Sequence, residues 1–77
     1  MHEFQIQLRS VQDVLDFVAL ATSRAFHITV GDDRHQVDGK SFMEMFCLNF
    51  NQLLTVTPEC CEDQFWQLKS EAAFFLA

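Results

Sequence analysis

Lys40 and Ser41 stand directly before a short apolar run, Phe42-Met43-Glu44-Met45-Phe46. Ser41 and Glu44 have the S-x-x-E spacing of a capping box, in which a hydroxyl satisfies a free N–H at a helix start and the carboxylate reaches back. That spacing accounts for the hydroxyl as local structure and leaves open whether anything else acts there. The other chemistry-bearing residues are scattered. His2, His27 and His35 stand apart from one another. Cys60 and Cys61 are adjacent and could join a histidine on a metal, but adjacency is not the spacing of a zinc knuckle. Two free thiols in a loop is the plainer reading, and no metal is expected. No Gly-rich phosphate loop and no nucleophile–base pair is present, so no cofactor is expected either.

These residues must be positioned by a small frame. A chain of 77 residues makes one domain, spanning residues 1–77. Such a chain buries only about 60% of the surface its unfolded form exposes. A hydrophobic content of 49% with nine Phe still supplies one core. The net charge is −6 with only five Lys and Arg and no basic cluster, so there is little to neutralise phosphates and nucleic acid is not an expected partner. No charged-then-apolar leader opens the chain and no apolar run is long enough to cross a bilayer. A soluble cytoplasmic protein is expected, its odd count of three cysteines kept as thiols.

Residues 3–8 alternate, with Phe4, Ile6 and Leu8 on one side and Gln5 and Gln7 on the other, which predicts a strand with one buried face. Ser10 offers an N-cap with Asp13 as the box acid, and Val11, Val14, Leu15, Val18 and Ala21 give an amphipathic helix over 11–23. Phe26, Ile28 and Val30 alternate as a second strand. Gly31-Asp32-Asp33 is turn composition, and 34–37 returns as a third.

Ser41 opens a second helix that ends near 49–51. On it Met45 and Leu48 share the inward side, while Phe42, Met43 and Phe46 fall largely outward. Residues 53–57 read as a fourth strand closed by Pro58. Glu62 and Asp63 suit the positive end of a last helix, whose inner stripe is Phe65, Leu68, Ala72, Phe75 and Leu76, with Trp66 in its packing. The order β-α-β-β-α-β-α predicts an α+β two-layer sandwich with an open sheet face.

That order, together with Val37-Asp38-Gly39-Lys40-Ser41-Phe42-Met43, resembles HPr, the histidine-containing phosphocarrier family of the bacterial phosphoenolpyruvate-dependent sugar phosphotransferase system. In that family a Lys-Ser-Ile/Phe-Met-Gly segment opens the second helix. Ala21-Thr22-Ser23 is similar to the family's Ala-Ser-Lys ending of the first. The resemblance implies a four-stranded antiparallel sheet in the order 1-4-2-3 backed by three helices.

Where the family has Gly-x-His-Ala-Arg-Pro-Ala, this chain has a shorter loop, Arg9-Ser10-Val11-Gln12-Asp13-Val14. The histidine position falls near Ser10 and the arginine position near Gln12. A serine ester is not passed on as a phosphohistidine is, and a neutral amide lacks the charged fork of a guanidinium. Asp13 adds a charge that repels phosphate. No phosphoryl-carrier activity is therefore expected.

The resemblance implies instead a regulatory, protein-binding member. Ser41 would be phosphorylated by an HPr kinase, and Lys40, Phe42, Met43, Phe46 and Cys47 would form the docking patch. The implied partners are that kinase, an enzyme I-like protein or a transcription regulator. Glu44 departs from the family's glycine and would repel a phosphate on Ser41. The alternatives are a homodimeric assembly module built on the Phe-rich face, and a phosphocarrier using an unconventional residue.

Overall fold

The computed structural model describes residues 2–77. Its elements are β1 (Phe4–Ile6), α1 (Val11–Thr22), β2 (Ile28–Gly31), β3 (Gln36–Asp38), α2 (Phe42–Met45), β4 (Leu54–Pro58) and α3 (Glu62–Glu71), followed by a 3₁₀ turn at Ala73–Phe75. The four strands form one antiparallel sheet in the order β1-β4-β2-β3, with Phe4 opposite Val56, Val30 opposite Val56 and Val30 opposite Val37. One face carries the helices and the other is open, so the predicted α+β sandwich and its 1-4-2-3 order are what the chain adopts.

Alternation explains the layering. Phe4, Ile6, Ile28, Val30, Leu54 and Val56 all point to the helix side and are buried. Val14, Phe17, Val18 and Ala21 of α1 and Phe65 and Leu68 of α3 close over them. Phe17 meets Phe75 edge-on at 5.9 Å, and Phe4 meets Phe65 in the same manner at 5.8 Å. Phe17 is the large core residue that the three-and-four pattern from Val11 passes over. The buried arc of α1 is centred between Val14 and Phe17, which leaves Val11 exposed and Leu15 half-covered.

Several boundaries differ from expectation, each for a local reason. β1 pairs with β4 only from Phe4 to Ile6, and on its outer edge the Gln7 N–H donates to the Phe75 carbonyl at 2.8 Å while Leu76 bridges Ile6. The third strand begins at Gln36, not at 34. The Asp32 carboxylate accepts the N–H groups of Arg34 (2.8 Å) and His35 (2.6 Å) and holds both in the turn. The second helix ends at Met45 after one turn, well short of 49–51. Cys47 and Leu48 donate to carbonyls three residues back, and Asn49 donates to Asp32 at 2.9 Å.

The fourth strand runs from Leu54 through Pro58. The missing N–H of Pro58 faces β1, where pairing has already ended at Phe4–Val56, so the ladder loses nothing. The last helix stops at Glu71 and tightens into the 3₁₀ turn; Leu76 is half-buried, and Trp66 is 52% exposed instead of packed inward. Lys69 covers the Trp66 ring at 5.1 Å.

Gly39 is needed for a close approach. Its N–H donates to the Ile28 carbonyl at 2.8 Å, and a Cβ there would lie 3.0 Å from Val30 Cγ2 and 3.1 Å from that carbonyl.

Deleting the Phe17 ring removes a fully enclosed aromatic, so Phe17→Ala is expected to cost about 3–5 kcal/mol in urea unfolding. Phe74→Ala, at an exposed position, is expected to cost no more than about 0.5 kcal/mol. Asp32 gives a pH signature. The Asn49 N–H, then those of Arg34 and His35, hold its carboxyl down at about 2 from an ordinary 3.8. A carboxyl lowered on folding stabilises above its unfolded value, and that contribution is lost as pH falls from about 4 through about 2. Urea midpoints measured from neutral pH downward should fall more steeply in the parent than in Asp32→Asn.

Candidate functional site

The starts of α1 and α2 lie at opposite ends of α1: Ser10 shares a groove with Phe46 and Phe50, while the lead-in to Ser41 is tied to the end of α1 through Lys40. Ser10 has extended backbone (φ −151°, ψ 166°), and its Oγ accepts the Asp13 N–H at 3.1 Å, so it caps α1 as its position predicts. The box is displaced by one residue, because Asp13 Oδ2 accepts the N–H of Arg9 at 2.9 Å and not that of Ser10. Gln12 is exposed and donates along the helix to Asp16 at 2.9 Å. No histidine is present among these residues: His2 lies against Phe65 at 4.8 Å, His27 precedes β2, and His35 stands in the hairpin turn near Asp32.

Ser41 caps α2 more weakly. Its Oγ accepts the Glu44 N–H at 3.4 Å, while Glu44 Oε1 accepts from the Asp38 N–H at 3.4 Å, so the reciprocal arm of this box misses Ser41 as well. Two acidic residues thus adjoin Ser41: Glu44 reaches back to the Asp38 N–H, and Asp38 Oδ1 accepts the Lys40 N–H at 2.9 Å. Lys40 directs its ammonium to the end of α1. Its Nζ donates to the Arg24 carbonyl at 2.6 Å, just past the end of α1, where a cation suits the helix's negative end.

A helix of one turn buries one side. Met45 is wholly enclosed and Leu48 nearly so, while Phe42 is 43%, Met43 84% and Phe46 47% exposed. Phe42 stacks on Phe46 with rings parallel at 6.2 Å, and Phe50 meets Phe46 edge-on at 6.2 Å. Cys47 is exposed beside Met43, whose carbonyl lies 3.7 Å from its Sγ.

Between this aromatic row and the loop before α1 lies a groove of about 570 Å³. Leu8, Val11, Val14, Phe46 and Phe50 form its apolar lining, and Arg9, Ser10 and Asn51 its polar side. The structure therefore brings Ser10 and Phe46 to one groove. Ser41, Lys40, Met43 and Cys47 lie outside its lining. The contributions of Phe50 and Val11 were not anticipated from sequence; the Phe46–Phe50 spacing of four was the available signal.

The remaining candidates do not converge. Cys47, Cys60 and Cys61 are free thiols, and burial followed by the neighbouring Cys61 pushes the Cys60 thiol above its ordinary value. Among the described residues no three His, Cys, Asp or Glu side chains gather as a metal site, and no helix is long and apolar enough to cross a membrane.

This arrangement is the HPr-like open-faced sandwich. The chain is similar to HPr-C-His from Thermoanaerobacter tengcongensis, with a TM-score of 0.75 at 21% identity over 94% of this chain and 90% of that one. It is also similar to the histidine-containing phosphocarrier protein of Mycoplasma, with a TM-score of 0.70 at 15% identity over 99% of this chain and 100% of that one. At these identities the likeness is one of fold. No protein-family model and no curated protein matches the sequence.

The two caps predict unequal costs. Ser10→Ala is expected to lose about 1 kcal/mol, the ordinary value of a capping hydroxyl. Ser41→Ala, giving up a longer bond at a one-turn helix, is expected to lose less than about 0.5 kcal/mol in the same unfolding measurement.

Proposed function

We propose that this chain is a protein-binding module on the HPr-like fold, related to the phosphotransferase system, that carries no phosphoryl group on histidine. It docks a partner through the outer flank of α2 and the groove beside it. The observation that carries this reading is the display of Phe42, Met43 and Phe46 beside an apolar groove whose lining holds no histidine. Apolar side chains exposed together at one place mark a contact surface. The same groove borders the start of α1, where a carrier would need an imidazole. Ser10 offers a hydroxyl there and Arg9 the one cation of the lining, while Gln12, at the family's arginine position, lies outside it.

Ser41 is the proposed point of control, and the enzyme acting on it would be an HPr kinase-like protein. Its half-covered hydroxyl adjoins Phe42, so a phosphoryl group of about −1.5 to −2 charge would enter beside Asp38 and Glu44. Repulsion there would pull Glu44 from the Asp38 N–H and disturb α2. Modification thus acts by altering the docking surface. An enzyme I-like protein or a transcription regulator is the class of partner whose binding would change. Self-association through the exposed phenylalanines is the second reading, and light scattering across a concentration series separates a homodimer from a monomer.

Incubation with enzyme I and labelled phosphoenolpyruvate is expected to leave no acid-labile label on the chain. A label that disappears on substitution of His2, His27 or His35 would overturn the non-carrier reading. With HPr kinase and ATP, intact mass is expected to rise by one phosphoryl group in the parent and not in Ser41→Ala. An unchanged parent mass would remove Ser41 from the account.

A further inference from the structure

The groove beside the start of α1 differs from the rest of this surface in the charges that line it. The chain carries eleven Asp and Glu against five Lys and Arg, and four smaller clefts elsewhere each include at least one carboxylate side chain. The groove of about 570 Å³ includes none. Asp13 Oδ2 turns back to the Arg9 N–H and Asp16 Oδ1 accepts from Gln12, and both residues stay outside the lining. Leu8, Val11, Val14, Phe46 and Phe50 make an apolar wall, and Arg9 and Ser10 bring hydrogen-bond donors to it. The Arg9 guanidinium gives one N–H to Gln7 Oε1 at 3.1 Å and keeps the others. Ser10 Oγ accepts the Asp13 N–H, and its own proton has no acceptor among the described residues.

Small-molecule sites are concave, mostly apolar spaces of about 300–1,000 Å³ with a few placed polar groups. A cation and a hydroxyl donor beside a hydrocarbon wall, with no competing anion, suit a group that only accepts hydrogen bonds and is joined to an apolar tail. An ionised carboxylate is such a group. Asp13, just outside the lining, opposes a dianion more strongly than a monoanion, which favours a carboxylate over a phosphate. We infer that the groove is a binding site for a small apolar monocarboxylate. Its tail lies between Val11 and Phe46, and its carboxylate accepts from Arg9 and Ser10. The inference goes beyond the docking of a protein and does not rest on it. An occupied groove covers Phe46 and so competes with a partner for that side chain.

Octanoate, 1-octanol and octylammonium share a tail and differ in the head. Backbone amide shifts in the ¹⁵N-labelled chain at neutral pH report where and how tightly each binds. Octanoate is expected to shift the groove residues at least about threefold more tightly than octylammonium, the size of an exposed charge pair. The net charge of −6 works in favour of the ammonium, so a preference for the anion reports the local groups. Arg9→Gln should erase or reverse that gap while leaving the affinity for 1-octanol unchanged, which also shows that the variant is folded. If octylammonium binds the parent's groove as tightly as octanoate, or if Arg9→Gln leaves the gap intact, the inference is overturned. It falls equally if none of the three shifts the groove. Protein docking on Phe42 and Met43, which lie outside the lining, is untouched by either failure.

Discussion

One turn of helix cannot bury two sides, and that constraint shapes the outer face of α2. α2 is set over the sheet by Met45, with Leu48 following it into the core. The four residues of α2 leave no second layer to cover Phe42, Met43 or Phe46. A longer helix could have rotated a wider stripe inward, but the chain tightens after Met45 into i→i−3 bonds and leaves at Asn49. Apolar exposure on this scale costs solubility, and the fold does not use these side chains to close its core.

The position of α2 is fixed by polar ties instead of by length. Asp32 accepts from Arg34 and His35 in the hairpin and from Asn49 after α2, so one carboxylate joins two segments far apart in sequence. Gly39 lets the lead-in to α2 pass against Ile28 and Val30. Lys40 fastens that lead-in to the end of α1, and Arg24 in turn fastens the end of α1 to Glu71 of α3. The groove is the space left between the loop at Ser10 and the row Phe46–Phe50 once these ties are made.

Much of this was legible in the residues. Strict alternation marked the inward set Phe4, Ile6, Ile28 and Val30, and Ser10 and Ser41 marked two helix starts, because each signal acts within a few residues. The sorting of Met45 inward and Phe42, Met43 and Phe46 outward followed from helical geometry alone. What escaped the sequence depends on distant partners. The length of α2 is decided by Asp32, seventeen residues from Asn49 in the chain. Phe17 is enclosed against Phe75, and the outer edge of β1 is held by the carbonyl of the same residue. The groove belongs to this second group, since no local pattern announces that Val11 and Phe50 will face one space.

The account depends on the outer flank of α2 being a display surface and not a part of the core. The double substitution Met43→Ser with Phe46→Ser separates the two most directly, by the free energy of urea unfolding. A surface role predicts a value within about 1 kcal/mol of the parent, with unchanged cooperativity. A loss of several kcal/mol, of the size seen on emptying a core, would mean that these side chains hold the fold together and would contradict the account.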